Sequence, residues 1–189
     1  MKKIVFLLAL SMVSFSFVLF ESTDWTSDVA HSRLGFTIQH LGVADINGEF
    51  KKFEVKINTS NGEFEGSSIE MSADVSSINT GIDMRDNHLK TADFFDVEKF
   101  PKIAFKSTSV NKIKKAVFQV NGKLTMHGVT APVTLTATHN GTVKTESGKN
   151  LAGFKLTGVV KRSDFGIGDA TPVLSDEVKL QCDLELSEQ

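Results

Sequence analysis

Arg85-Asp86-Asn87-His88-Leu89-Lys90-Thr91-Ala92-Asp93-Phe94-Phe95-Asp96-Val97-Glu98-Lys99-Phe100-Pro101 is the one helical run in a chain otherwise written in strand-period alternation. Asp83 or Asp86 can cap its start, Leu89, Ala92 and Phe95 recur at helical spacing, and Phe100-Pro101 ends it. An all-β domain with one short helical segment is a narrow class. The segment is expected to lie against a sheet as a lid or plug, with Leu89, Phe94 and Phe95 inward and Asp93 and Asp96 outward.

On its N-terminal side, Leu34, Phe36 and Ile38 alternate with Gly35, Thr37 and Gln39, a strand with one apolar face that Gly42 closes. Ile46, Gly48 and Phe50 share one parity and Phe53, Val55 and Ile57 the other; the switch across Lys51-Lys52 predicts a bulge or sharp bend that curls a sheet toward closure. Asn61-Gly62 sits where a hairpin turn belongs, and Ile69, Met71, Ala73 and Val75 continue the alternation. On the C-terminal side, strands begin at Ile103-x-Phe105, run from Phe118 to Met126, and recur at Val133 to Ala137, Phe154 to Val160 and Val178 to Leu186. Eight antiparallel strands with one apolar face each are expected to close into a barrel, because an open sheet would leave its edges exposed.

A barrel of that size is either filled by side chains or encloses one small ligand. Glycines on the apolar parity at Gly48, Gly122 and Gly158 are expected to leave room or to permit sharp bending. The chain has 15 Phe and no Tyr, which suits a wall facing hydrocarbon, since Phe offers aromatic area without a hydroxyl that needs a partner. The alternative is that these rings pack a solid core.

With 189 residues, 40% hydrophobic and 23% charged, the chain is sized for one domain with a substantial core. A net charge of -2 and scattered lysines lack the footprint of a nucleic-acid binder. Met1-Lys2-Lys3 followed by an uncharged run from Ile4 to Phe20 reads as a signal peptide over residues 1–20, leaving a barrel domain over 22–189. A membrane anchor is the rival, weakened by Ser11, Ser14 and Ser16 and by the lack of a basic stop. The product is therefore expected to be periplasmic or secreted. The single cysteine, Cys182, excludes an internal disulfide, lies far from the apolar run where a lipid-bearing cysteine would sit, and reads as a buried, inert thiol on a strand's apolar face.

The five histidines, His31, His40, His88, His127 and His139, include no metal-type pair, so no metal site is expected. His127 and His139 read as solvated strand ends. No G-x-S-x-G elbow is present. Asp86 and His88, two residues apart, do not face each other on a helix, so Arg85 and Asp86 are expected to form a capping and ion-pair network. Arg162 to Gly168 has glycines but no following helix to hold a phosphate, and a turn with a local Arg-Asp contact is expected.

The same segments carry a family likeness. Asp28-x-x-His31-Ser32 leading into Phe36-x-x-x-His40, Gly48-x-Phe50, Arg85-Asp86-x-His88-Leu89, Asp93-Phe94-Phe95, Phe100-Pro101-x-Ile103-x-Phe105, Gly122-x-Leu124-Thr125-x-His127-Gly128-Val129-Thr130, Arg162-Ser163-Asp164-Phe165-Gly166 and Leu174-Ser175-Asp176-Glu177-Val178 together resemble the YceI-like family from about Asp24 to Glu185. The resemblance implies an extended, lipocalin-like eight-stranded antiparallel β-barrel of the cell envelope that holds an isoprenoid or similar amphipathic lipid in an apolar channel. It brings no catalytic residues and no cofactor.

Channel-lining residues are expected to be Leu34, Phe36, Ile38, Phe50, Val75, Phe105, Leu124 and Phe154, with Leu89, Phe94 and Phe95 from the helical segment. Gly158 is expected to face the channel, so that a phenylalanine there would block it. Head-group contacts are expected from His40, His88 or Arg162, with Phe165 beside the last. Hydrocarbon burial contributes roughly 0.8 kcal/mol per CH₂, so the tail of a long-chain isoprenoid, quinone-like or fatty lipid should dominate affinity and the head group set selectivity. Transient membrane contact and a homodimer are left open. The rival is an envelope enzyme acting on a lipid or small hydrophobic substrate through His88 with Asp86 or Asp164; a solid-cored barrel with a protein partner is a third reading.

Overall fold

The computed structural model describes residues 22–60 and 62–189. The signal-peptide reading and Asn61 of the expected hairpin turn lie outside the described residues. Among the described residues the strands are β1 (Ser22–Ser27), β2 (Arg33–His40), β3 (Ala44–Phe50), β4 (Phe53–Ser60), β5 (Glu63–Asp74), β6 (Ile78–Asn79), β7 (Lys102–Lys114), β8 (Val117–Met126), β9 (Val129–Lys144), β10 (Asn150–Lys161) and β11 (Leu174–Glu188), with one α-helix, α1 (Asp83–Leu89). All pairings are antiparallel, and β1 meets β11 to close the ring.

The closed barrel has eight staves, because three of them are broken. β1 and β2 both lie along β11, with Ser27 opposite Leu186 and Arg33 opposite Asp183, so they are two halves of one stave interrupted at 28–32. β3 and β4 form the next, kinked at Lys51–Lys52 as the parity switch requires: Phe50 and Phe53 are both buried on either side of the kink. β5 and β6 form the third, broken by a 3₁₀ turn at Val75–Ser77. The half-stave Ser22–Ser27 was not expected, since Trp25 is its one large apolar side chain and gives no alternation to read.

A bulge in β5 changes parity without a proline or a break. Gly66 adopts φ +73°, the register against β4 shifts between Asn58 and Ser60, and the buried positions pass from Phe64 to Ser67 and then Ile69. Both Phe64 and Ser67 are thereby aimed into the barrel.

The apolar-parity glycines do not leave open space. A Cβ on Gly48 would stand 2.2 Å from the Phe36 ring, one on Gly122 2.4 Å from the Phe105 ring, and one on Gly158 2.5 Å from Leu135 Cδ2. Each glycine is the flat floor on which a larger side chain lies, which is how a barrel with rings of this size achieves close strand approach.

One end of the barrel is closed by aromatic packing. Phe64 contacts Trp25 (centroids 5.5 Å apart), Phe154 (4.7 Å) and His139 (5.1 Å), and His139 stacks on Phe154 at 4.8 Å. His139 is thus part of the plug and not a solvated strand end; burial lowers its pKa, and a hydrogen bond with the Gly141 backbone opposes that shift.

The helical segment is shorter than its apolar spacing implied. α1 ends at Leu89, and Lys90 to Pro101 proceeds by turns held by Phe95 N–H to Leu89 O (3.0 Å), Val97 N–H to Lys90 O (3.0 Å) and Phe100 N–H to Asp96 O (2.8 Å), with Asp96 at φ +47°. Ile82 occupies the N-cap position with no side-chain cap, so neither Asp83 nor Asp86 caps the helix. Phe94, Phe95 and Val97 nonetheless turn onto the core, while Asp93 is exposed. Asp96, expected outward, is mostly shielded and receives a hydrogen bond from Lys99 Nζ at 2.7 Å.

Candidate lipid-binding cavity

Inside the staves runs a cavity of about 210 Å³. Its wall includes Leu34, Phe36, Ile38, Phe50, Phe105 and Leu124, six of the eight positions expected from strand parity. Leu89, Phe94 and Phe95 close over it from the helical segment. The inward residues Leu34, Phe36, Ile38, Leu180 and Cys182 are only half-buried, although they sit on paired strands with no edge. Facing a space rather than a neighbour accounts for that exposure, and the solid-core alternative fails on it.

The remaining expected residues are placed differently. Val75 is 1% exposed and packs in the rim turn, its N–H donating to Pro101 O, outside the cavity wall. Phe154 faces a smaller inner chamber of about 30 Å³, which shares Val55, Ile69, Val120, Leu156 and Leu184 with the main cavity and leads toward the aromatic plug. Gly158 is not in the wall, being covered by Leu135, so a phenylalanine there would collide with packing and not block a channel. Phe165 is fully buried beside the wall, its carbonyl held at 3.1 Å by His127 Nδ1, which also removes His127 from the solvated class.

The histidines expected to meet a head group stand outside the cavity. His40 is not part of the wall, and His88 is exposed, its Nε2 3.4 Å from Asp93 Oδ2 and its ring edge-on to Phe94. Asp86 and His88 share no hydrogen bond: Asp86 Oδ1 instead accepts from the Thr80 N–H at 2.8 Å and from Thr80 Oγ1 at 2.5 Å. Arg85 donates from Nε to Thr80 Oγ1 at 2.7 Å and from Nη2 to the Thr80 carbonyl at 2.8 Å. The expected Arg85–Asp86 ion pair is therefore a relay through Thr80, with both Thr80 and Arg85 in the cavity wall. Sequence reading passed over Thr80, because it lies in a loop between two weak elements and becomes legible only through its contacts.

Arg162 is also in the wall and is 7% exposed. Its Nε donates to Ser175 O at 3.0 Å, Nη1 to Ile167 O at 2.6 Å and Nη2 to Asp169 O at 3.5 Å. Backbone carbonyls, not the expected Asp, satisfy it, and the result is a rigid buckle between the end of β10 and the start of β11. Asp176 instead caps Ser163, accepting from its N–H at 2.9 Å and from its Oγ at 2.8 Å, contacts that lower the Asp176 pKa.

Among the described residues one trio of metal-ligand type meets, Asp28, His31 and Glu185, at the break between β1 and β2. It is exposed and bound to itself: His31 Nδ1 lies 2.9 Å from Asp28 Oδ2, an attraction that lowers the Asp28 pKa and raises that of His31.

The YceI-like domain matches residues 25–186. The chain belongs to the YceI-like family. A UPF0312 protein of Pseudomonas putida is 40% identical over 137 residues, 72% of this chain and 71% of its own. The crystal structure of the Campylobacter jejuni YceI protein is similar at TM-score 0.74 and 32% identity, covering 93% of this chain and 99% of that one. A polyisoprenoid binding domain from Saccharophagus degradans, implicated in plant cell wall breakdown, has the same fold at TM-score 0.61 and 17% identity, with 86% and 97% covered.

This YceI-like barrel carries its own reporter. Cys182 is half-buried and forms part of the cavity wall, and burial pushes its thiol up to about 11. Against an ordinary thiol near 8.5, a shift of that size leaves on the order of a hundredfold less thiolate at pH 8. Alkylation of the folded protein by iodoacetamide at pH 8 should be slower than that of the unfolded chain by about that factor. Rates within a fewfold of each other would show that the thiol is not held in this wall.

Proposed function

We propose that this protein is a secreted or periplasmic, non-enzymatic carrier of a long-chain amphipathic lipid, of isoprenoid, quinone-like or fatty type, held in the barrel cavity. The observation that carries the reading is the cavity itself, walled by Leu, Ile, Val and Phe from nearly every stave, in a barrel whose fold is shared by a domain described as polyisoprenoid-binding. Each methylene taken from water into such a wall contributes roughly 0.8 kcal/mol, so chain length drives retention. Membership in the family supports a binding role over catalysis. Of the two pairs that the enzyme reading offers His88, the one with Asp86 is split, Asp86 bonding Thr80 and His88 lying against Asp93.

Loading requires the cavity to meet lipid. Ile38, Ile46 and Leu174 bring the wall to the β2–β3 turn, where Leu41, Val43 and Val173 are exposed and the Leu41 N–H binds Val173 O at 2.8 Å. Ile82 and Met84 at the start of α1 are exposed as well. These side chains suit brief contact with a lipid surface.

Native mass spectrometry of the purified protein followed by organic extraction tests the proposal. A lipid-sized adduct that is removed by solvent and restored by long-chain lipid is the expected result. A bare protein that refuses every long-chain lipid, or one that turns over lipid esters, would overturn it.

A further inference from the structure

The polar groups at the two ends of the cavity are not in the same state. At the end bearing α1, Thr80, Asp86 and Arg85 are bonded to one another and Arg162 is bonded to three backbone carbonyls. A ligand head group arriving there meets Thr80 Oγ1 and Asp86 Oδ1 already paired, and the N–H donors of Arg85 and Arg162 that remain suit an acceptor and not a hydroxyl seeking one. At the inner end, Ser67 is 6% exposed and its Oγ makes no hydrogen bond with any described residue. Among the described residues, Ser67 is also the one with a side-chain oxygen or nitrogen in the wall of the inner chamber, which is otherwise Phe64, Phe118, Phe154 and aliphatic groups. It is there by construction: the Gly66 bulge shifts the inward parity so that residue 67 points into the barrel, where the strict alternation from Phe64 would have turned it out. Trp25 Nε1 is likewise unpartnered, but it stands behind Phe64 and is not in the chamber wall.

A buried hydroxyl with no partner is unfavourable, and a water held by one polar side chain in a chamber of about 30 Å³ falls short of the two to four partners that ordered buried water usually has. Resting on the carrier reading, we propose that the lipid enters with a small uncharged oxygen-bearing end first, and that Ser67 Oγ hydrogen-bonds this end in the inner chamber. An alcohol, phenol, carbonyl or amide fits. A carboxylate or phosphate does not, because the chamber offers no cation and an unpaired buried charge is far more costly than a neutral dipole. The inner chamber therefore takes neutral ends, and the hydrocarbon tail of a lipid so bound lies toward the α1 end, in the wider part of the cavity.

The test compares hexadecan-1-ol with hexadecane, each presented from cyclodextrin to the purified, delipidated protein, with occupancy read by native mass spectrometry. The ratio of alcohol to alkane occupancy in the native protein is compared with that in Ser67→Ala and in Thr80→Val. Ser67→Ala should lower the ratio about five- to tenfold, the worth of one hydrogen bond, and leave hexadecane occupancy unchanged. Its thermal midpoint should not fall, since the hydroxyl removed had no partner. Thr80→Val, which breaks the relay that holds the cover, should lower both occupancies alike and so leave their ratio as it is. An unchanged ratio in Ser67→Ala, or a fall in the ratio confined to Thr80→Val, would overturn the inference while leaving the carrier intact. Refusal of both probes by the native protein would defeat the carrier reading itself.

Discussion

Leu156→Trp should abolish lipid retention while leaving the barrel folded. Leu156 lies in the wall of both the main cavity and the inner chamber, at their junction. Its neighbours across the ladders are Ala137 on β9 and Cys182 on β11, two small side chains that give an indole lateral room without forcing the strands apart. The added ring would occupy the junction and deny a bound chain the space beyond it. Excluding four or five methylenes at roughly 0.8 kcal/mol each removes about 3 to 4 kcal/mol, several hundredfold in affinity. Retention of a fluorescent fatty alcohol, with circular dichroism and thermal melting as the check on folding, measures it. Loss within threefold of the parent in a folded variant would mean that the lipid is bound elsewhere. Leu156 is a better target than Gly158, whose missing side chain is replaced by Leu135 and whose substitution would report strand packing instead.

That difference between Leu156 and Gly158 marks where the sequence is legible and where it is not. Alternation states which side chains share a face, and closure then brings the faces together, so Leu34, Phe36, Ile38, Phe105 and Leu124 could be placed in the wall from parity alone. The kink at Lys51–Lys52 was visible for the same reason, as a change of parity between Phe50 and Phe53. Parity does not say how far a neighbouring side chain leans. Gly48, Gly122 and Gly158 lie on the inward face yet are roofed by Phe36, Phe105 and Leu135, a matter of rotamer and cross-strand register. The bulge at Gly66 escaped because Gly-Ser-Ser in a polar stretch has no apolar pattern to shift, and with it went Ser67. The helical segment misled in another way: Leu89, Ala92 and Phe95 fit a helix, but the backbone hydrogen bonds from Phe95 and Val97 back to Leu89 and Lys90 make turns that bring Phe94 and Phe95 together onto the cavity. Burial of two adjacent rings is something a helix face cannot provide, and tertiary packing decided against the local spacing.

The cover these turns make depends on one carboxylate. Asp86 is 8% exposed, sits within α1, and accepts both Thr80 hydrogen bonds, while Thr80 in turn accepts from Arg85. Removing it leaves a half-buried backbone N–H and a hydroxyl without an acceptor and frees the Arg85 side chain from the conformation that Thr80 holds. Hydrogen bonds to a charged group contribute about 1.5 to 3 kcal/mol, and part of the loss is recovered when α1 swings toward water, so Asp86→Ala should cost about 2 to 4 kcal/mol if the whole barrel feels it. The barrel closes through β1 and β11 without help from α1, and β6, the element that α1 follows, is two residues long. The loss is therefore expected first as local opening. Hydrogen exchange of residues 80–100 should accelerate by at least tenfold in Asp86→Ala while β8, β9 and β10 keep their protection, and bound lipid should leave faster because Leu89, Phe94 and Phe95 no longer stay over the cavity. Asp86→Asn, which keeps one acceptor oxygen, should fall between the two. Uniform loss of protection across the barrel would assign Asp86 to global stability; unchanged exchange in the segment with unchanged lipid release would show that the relay through Thr80 does not hold the cover in place.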